Sequence, residues 1–183
     1  EPRGKQISEI LFFRTVIDYP FHSLKCRKID NLDYVKREFQ WYLKGDQYDD
    51  RICDHASIWK TIIQPDGRIF SNYGHFWFTN RSNIDGHTHF ERVIHVLEQD
   101  PDSRQAYIPM LADEHCFNGN KDMVCTKGIT FRIVDHRLHM HVSMRSSDLA
   151  IGSSIDWPCF SWLHEMVACE LRVELGMFVF STD

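Results

Sequence analysis

The sequence predicts an α+β fold, with a mixed β-sheet packed with helices in one domain. Two hydrophobic periods alternate along the 183 residues: the two-residue period of strands and the helical period with apolar residues three or four apart. Hydrophobic residues make up 43% of the chain, as in globular proteins, and the length fits a single domain over residues 1–183. No linker, repeat or low-complexity tract divides it.

The first half of the chain predicts a strand and two helices. Residues 7–17, ISEILFFRTVI, are rich in β-branched and aromatic side chains, which favours a strand. A helix is expected from Asn31, a favourable N-cap, to the stop at Gly45. Residues 88–100, THFERVIHVLEQD, predict a second helix. The apolar positions of the first helix are Leu32, Val35, Phe39, Tyr42 and Leu43.

The second half predicts three strand regions and one helix. Residues 104–111, RQAYIPML, form a short strand, and residues 129–144 alternate on both sides of a DHR turn, which indicates a hairpin. An apolar helix is expected from Trp157 to about Glu174, with Pro158 in its first turn. The segment GMFVFST then predicts a last strand.

Composition excludes several classes of protein. The net charge of −5 without a long basic run argues against duplex nucleic acid as the main partner. No apolar stretch approaches the ~20 residues of a membrane span, and no signal-peptide pattern is present. The cysteines form no CxxC pair, which predicts reduced thiols and a cytoplasmic location. The closest histidine pairs lack a third ligand at a convincing spacing, so no metal site is predicted.

Arginines and hydroxyl groups flank the predicted hairpin. Arg104 precedes the short strand, and Arg145 follows the hairpin directly before two serines. A guanidinium with neighbouring hydroxyls is a natural phosphate clamp, and it also stabilises a nearby thiolate such as that of Cys125. Each arginine taken alone is also typical of a surface ion pair, and a cysteine is often a small buried hydrophobe.

Ordered segments of the chain carry a family resemblance. They are REFQWYLKGD, SIWKTI, SNYG, DPDSR, MVCT, RSSDLAIG and ELGMFVF, spread from about Lys36 to Phe180. The set resembles the thymidylate synthase family, and within it the deoxycytidylate hydroxymethylases of bacteriophages. The resemblance implies a thymidylate synthase-like fold, a sheet-mediated homodimer, and an enzyme acting in the cytoplasm, that of the host if phage-encoded. It also implies that the family fold continues beyond residue 183, with a His–Tyr segment for the sugar and a C-terminus that closes over folate.

The resemblance assigns roles in nucleotide binding and attack. Cys125 falls on the nucleophile that adds to C6 of the pyrimidine. Arg145 and Ser146 fall on phosphate ligands, and Arg104 on a phosphate arginine that reaches the other subunit's site, which implies a homodimer. Arg3 matches a phosphate arginine of a flexible loop, in a weaker alignment.

Further residues fall on positions around the base and the cofactor, 5,10-methylenetetrahydrofolate. Glu38 matches a glutamate that organises water and proton transfers, and Tyr73 a tyrosine near the nucleophile. Trp59, Asp148 and Gly152 match the folate site. Without the resemblance, Glu38 reads equally as an exposed helix carboxylate, and the two aromatic residues as core.

The choice of base depends on Asp156, which stands eight residues after Asp148, where synthases place an asparagine. An amide matches the O4 acceptor and N3–H donor of uracil, whereas a carboxyl group accepts from the N4 amino group of cytosine and can share a proton with N3. Asp156 is also a favourable N-cap residue for the helix predicted to follow it. Three more departures from synthases are Met144 for glutamine, Thr126 for histidine and Gln105 for a second arginine.

We therefore predict conversion of dCMP to 5-hydroxymethyl-dCMP through a covalent adduct on Cys125. In this chemistry, water rather than a hydride adds to an exocyclic methylene, and Glu38 positions that water. A CMP hydroxymethylase and a thymidylate synthase acting on dUMP are the alternative enzymes. A non-catalytic nucleotide-binding relative is the alternative from another class.

Overall fold

The computed structural model of the protein describes residues 8–18 and 32–183 and confirms the α+β class. The strands are β1 Phe13–Val16, β2 Tyr107–Pro109, β3 Thr126–Val134, β4 Arg137–Met144 and β5 Glu174–Thr182. The helices are α1 Leu32–Lys44, α2 Ile58–Ile62, α3 His89–Gln99 and α4 Gly152–Leu171. Short 3₁₀ or π segments lie at Asp50–Asp54, His75–Thr79 and Asp113–His115.

The strands form one mixed sheet in the order β1-β5-β4-β3-β2. The predicted hairpin of β3 and β4 is confirmed, and Asp135 and His136 turn it with φ angles of 49° and 61°. Strands β4 and β5 are parallel, with α4 as the connection between them, and the other pairs are antiparallel. Thr126 pairs with Met144, which pairs with Thr182, so the chain segments next to them meet at one end of the sheet.

The core lies between one face of the sheet and the helices. Alternate strand residues, Ile129, Phe131 and Phe180 among them, are fully buried there against Phe160 and Leu163 of α4. The intervening strand residues keep partial exposure. The sheet therefore has one covered face and one face open to solvent or to another chain.

The bounds of two predicted elements are wrong. Strand β1 covers only Phe13–Val16 of residues 7–17, because Phe12 adopts a left-handed backbone conformation, with φ 54°. Helix α4 starts at Gly152 rather than at Trp157, because the backbone N–H groups of residues 150 and 151 donate to Asp148 and form the preceding turn. Pro158 consequently lies inside the helix and not in its first turn.

The predicted helices α1 and α3 are confirmed, with one difference in which residues are buried. Gly45 ends α1 with φ 61°, although Asn31 lies outside the described residues. Leu32 and Leu43, predicted to face the core, are 37% and 47% exposed. The buried face instead contains the carboxylate of Glu38, so this face of α1 forms part of a polar site.

Candidate active site

Cys125 lies at the sheet end, directly before β3, and is partly exposed. The backbone N–H of Arg145 donates to the Cys125 carbonyl over 2.8 Å, which joins the end of β4 to the loop of the thiol. The Arg145 guanidinium donates to the carbonyls of Val124 (3.0 Å) and Met123, and its Nη2 lies 3.7 Å from Cys125 Sγ. A positive charge held at this distance favours the thiolate, the nucleophilic form of cysteine.

A cleft of about 640 Å³ opens beside Arg145. Its lining includes Ser146, Ser147 and Thr182, and the Arg145 Nη1 atom makes no hydrogen bond with a described residue. The hydroxyls of Ser147 and Thr182 are buried and have no hydrogen-bond partner within the described part of the chain. Within the described residues, these two hydroxyls lack the partner, often an ordered water, that buried polar groups normally have. The cleft has the size of small-molecule sites, and Arg145 and Ser146 offer donors for an anion beside the carboxylates of Glu9, Asp148 and Asp183 on the same lining.

Glu38 is buried, 4% exposed, which excludes its interpretation as an exposed helix carboxylate. The Tyr42 hydroxyl donates to its Oε1 atom over 2.6 Å, and the Tyr34 hydroxyl also hydrogen-bonds to the carboxyl group. The indole N–H of Trp59 donates to the Tyr34 hydroxyl over 2.8 Å. Burial raises the pKa of Glu38, and the two tyrosine hydrogen bonds oppose that rise.

Asp156 is the fifth residue of α4, so its interpretation as an N-cap is wrong. Burial raises its pKa well above the ordinary value, and the negative charges of Glu38 and Asp148 add to the rise. Two neighbouring buried carboxyl groups resist double ionisation. Asp156 therefore favours the protonated form, which offers one donor and one acceptor.

Tyr73 connects the carboxyl groups to the thiol. Its ring stacks on Tyr42 with 5.3 Å between ring centroids and on Phe160 with 5.8 Å. Burial raises the pKa of Tyr73 well above its usual value, and the nearby negative charges of Asp156 and Cys125 contribute in the same direction. The phenol therefore stays a proton donor near both groups.

The residues predicted to bind folate lie in two places. Asp148 precedes α4 and accepts the Ala150 and Ile151 N–H groups through Oδ1, while Oδ2 receives no hydrogen bond from a described residue. A Cβ atom added to Gly152 would lie 3.5 Å from Asp148 Cβ and 3.8 Å from Asp156 Oδ2, so Gly152 is next to both acids. Trp59 is buried in α2, behind Tyr34.

One predicted phosphate arginine, Arg104, is not part of this cluster. Arg104 is exposed before β2 and makes no hydrogen bond or ion pair with any residue that the structure describes. Gln105 is exposed beside it, and Arg3 lies outside the described residues.

The sequence analysis missed residues that organise the site. Tyr34 was not singled out, and Tyr42 was assigned only to the apolar face of α1. Their spacing from Glu38, four residues before and after, was the available signal. Asp122, three residues before Cys125, is also buried and accepts hydrogen bonds from the backbone N–H of Ser71 (2.8 Å) and from its hydroxyl, which holds the thiol loop in place.

Metal-binding clusters and membrane-spanning helices are not found in the described residues. Across residues 8–18 and 32–183, no three His, Cys, Asp or Glu side chains are grouped so as to hold a metal ion. None of the described helices is long and apolar enough to cross a lipid bilayer.

A thiol beside a guanidinium, with Tyr73 near both the thiol and the buried Asp156 and a cleft lined by the same arginine, suits nucleophilic catalysis on a small anionic substrate. The thymidylate synthase family model matches residues 11–183. The chain belongs to the thymidylate synthase family, enzymes that transfer methyl or hydroxymethyl groups to C5 of pyrimidine nucleotides.

Individual relatives agree with this assignment. The deoxycytidylate 5-hydroxymethyltransferase of enterobacteria phage T4 is 25% identical over 174 residues, which cover 92% of this chain and 68% of that protein. The thymidylate synthase of Buchnera aphidicola is 28% identical over 152 residues, covering 80% of this chain and 56% of that protein. The solved thymidylate synthase A of Bacillus subtilis has the same fold, with a TM-score of 0.66 at 22% identity over 81% of this chain and 54% of that one. The chain thus spans only about half of the synthases.

Proposed function

We propose that the protein is a pyrimidine nucleotide C5 hydroxymethyltransferase that converts dCMP to 5-hydroxymethyl-dCMP. The observation that carries the proposal is the environment of Asp156, where burial and Glu38 raise the pKa of the carboxyl group. A protonated carboxyl group donates to N3 of cytosine and accepts from its N4 amino group. Against uracil, an ionised carboxylate would set an acceptor against the O4 acceptor, and the neutral acid would pair only with its proton on the oxygen that faces O4.

The nucleotide phosphate is bound by Arg145 and Ser146 in the cleft. Arg145 Nη1, which makes no hydrogen bond with a described residue, and Ser146 on the cleft lining support this placement. Arg104, exposed and without a partner in the described chain, is proposed to complete the phosphate site of a second subunit. The open face of the sheet supports a homodimer formed through that face. Arg3 is proposed as a further phosphate ligand.

Trp59, Asp148 and Gly152 are proposed to hold 5,10-methylenetetrahydrofolate, which supplies a one-carbon unit at the oxidation level of formaldehyde. Asp148 Oδ2, which accepts no hydrogen bond from a described residue, fits a donor-rich ring such as a pterin. Because Gly152 has no side chain, no Cβ atom occupies the space beside Asp148 and Asp156. We also propose that the chain is a single domain and represents part of the family fold.

The residues of the site act on the nucleotide in sequence. The Cys125 thiolate adds to C6, which makes C5 nucleophilic towards the one-carbon unit. Tyr73, close to both Cys125 and Asp156, is placed for proton transfer near C5 and C6. After the C5 proton leaves, the ring carries an exocyclic methylene, and Glu38 positions the water that adds to it. The thiolate then leaves C6 and is regenerated.

Two other substrates remain alternatives with specific support. CMP, which differs from dCMP only in the sugar, is the first alternative. Thymidylate synthases also match this chain, so dUMP is the second.

The test is tritium release from C5 of dCMP, CMP and dUMP with methylenetetrahydrofolate. The Cys125→Ser variant should release none, whereas the matched Cys169→Ser variant, which changes an exposed thiol of α4, should behave as the parent protein. Release from dCMP with hydroxymethyl product is the expected result. Release from dUMP alone would contradict the role of Asp156, and no release from any nucleotide would contradict the proposed activity.

A further inference from the structure

We infer that Tyr34 and Tyr42 are positioning residues that hold Glu38 as the base for the water that completes hydroxymethyl transfer. The inference rests on the proposed function and adds two residues to its site. Both tyrosines lie on α1, one turn before and one turn after Glu38, so helix geometry directs all three side chains to one face.

We call the arrangement of Tyr34 and Tyr42 around Glu38 the tyrosine clamp. Trp59 determines the direction of its hydrogen bonds. The indole N–H of Trp59 can only donate, and it donates to the Tyr34 oxygen over 2.8 Å. The single hydroxyl hydrogen of Tyr34 is therefore left for Glu38. Tyr42 directs its own hydroxyl hydrogen to Glu38 Oε1 over 2.6 Å. Glu38 thus receives two donors and is held as an acceptor.

The tyrosine clamp opposes the effect of burial on the pKa of Glu38. Glu38 is 4% exposed, and burial by itself favours a neutral carboxylic acid, which cannot take a proton from water. Both phenols have a pKa raised above the ordinary tyrosine value, chiefly by burial, so they remain donors at neutral pH. Their hydrogen bonds lower the pKa of Glu38 relative to burial alone. A base is maintained in a dry site because of these two hydroxyls.

The step that needs this base can be written with its full balance. The water oxygen forms a bond to the exocyclic methylene carbon, and one water proton passes to the Glu38 carboxylate. The electron pair of the exocyclic double bond moves into the C5–C6 bond, and the C6–sulfur bond breaks to return the Cys125 thiolate. Glu38 then releases its proton to solvent. No oxidant or reductant is consumed, in contrast to methyl formation.

Conservative variants test the clamp. In Tyr34→Phe and Tyr42→Phe, the rings remain but the donors are lost, so formation of hydroxymethyl-dCMP at pH 7 should slow about tenfold per hydroxyl. The acid limb of this rate should move to higher pH. Single-turnover measurements separate the steps: tritium release from C5 precedes water addition and should slow less than product formation. The matched control is Tyr107→Phe on strand β2. It removes a phenol that donates to the Lys127 carbonyl of β3, and it should leave both rates unchanged.

A double-mutant cycle shows whether the tyrosines act through Glu38. In a Glu38→Gln background, the tyrosine substitutions should have little additional effect on product formation. Equal slowing of both steps without a shift of the acid limb, or full effects in the Glu38→Gln background, would overturn the inference. Absence of activity in the unmodified protein would instead contradict the proposed function. Circular dichroism melting of each variant distinguishes these results from loss of the fold.

Discussion

The Asp156→Asn substitution is the most direct test of base selection. It keeps the size of the side chain but replaces a carboxyl group by an amide in the fifth position of α4. In the orientation that pairs an amide with the O4 and N3–H of uracil, its NH2 group faces the N4 donor of cytosine and its oxygen faces the N3 acceptor, so dCMP is mismatched unless the amide flips. We expect nucleotide preference to move from dCMP towards dUMP.

The magnitude follows from the buried hydrogen bonds. Leaving one buried polar group unpaired costs about 1–3 kcal/mol, which corresponds to about tenfold to a hundredfold in kcat/KM. The substitution should create such a mismatch with dCMP and remove one with dUMP. The ratio of the two kcat/KM values should therefore change by about 10²–10⁴.

The assay is tritium release from both nucleotides in parallel. The control is Asp49→Asn, which alters another buried aspartate, one paired with Arg51 rather than placed at the site. It should leave the ratio unchanged. A ratio that stays within about threefold of the parent value in Asp156→Asn would refute the reasoning, because both mismatches are worth more than that.

Stability distinguishes a change of recognition from unfolding. Burial raises the pKa of Asp156, so the folded protein binds more protons than the unfolded chain, and stability falls as pH rises through the carboxyl titration. An asparagine does not ionise and removes this penalty. The melting temperature of Asp156→Asn at pH 7 should equal or exceed that of the parent, and a lower value would contradict the burial argument.

Three further predictions concern charge and backbone. Arg145→Lys should slow alkylation of Cys125 by iodoacetamide about fivefold at pH 7, because a lysine cannot bind the loop carbonyls and approach Sγ at the same time. Peptide mass spectrometry measures this rate, and an unchanged rate would contradict activation by the guanidinium. Asp49→Asn should lower the free energy of unfolding at pH 7 by about 1 kcal/mol, a value reduced because Arg51 is exposed. The Arg51 hydrogen bond lowers the pKa of Asp49 from 3.8 to about 2. In denaturant titrations, the difference in free energy of unfolding between the parent and Asp49→Asn should therefore shrink as pH falls through that interval. A difference that does not change with pH would exclude ionic stabilisation. Gly45→Ala should cost at least about 1 kcal/mol, because φ is 61° and the new Cβ would meet the Thr79 hydroxyl; an unchanged melting temperature would contradict this.

The site concentrates groups that each reduce stability in isolation. Glu38 and Asp156 are buried carboxyl groups with raised pKa values, close enough for the charge of Glu38 to raise the pKa of Asp156. The thiol of Cys159, one turn beyond Asp156, has a pKa that burial raises well above its ordinary value. A hydrophobic core of this size would accept apolar residues at these positions. The presence of ionisable groups at these positions favours a chemical role, because groups with perturbed pKa values cluster at functional sites.

Local patterns determined much of the fold before any tertiary contact was known. The two-residue alternation in β3 and β4 and the capping pair of Thr88 and Glu91 in α3 are set by neighbouring residues, so the sequence sufficed for them. The positions of Cys125 and Glu38 inside the ordered family segments, and of Asp156 four residues after the segment RSSDLAIG, were likewise readable from the chain itself.

Tertiary structure decided which of these residues meet and in which protonation state. Leu32 and Leu43 of α1 fit an apolar stripe but are exposed, because the side of the helix with Tyr34 and Glu38 is the one that the fold buries. The turn closed by Asp148 and the resulting early start of α4 place Asp156 inside the helix, facing Glu38 rather than capping a terminus. Helical periodicity records spacing but not the orientation of packed elements, and the pKa of a carboxyl group depends on that packing and not on sequence neighbours.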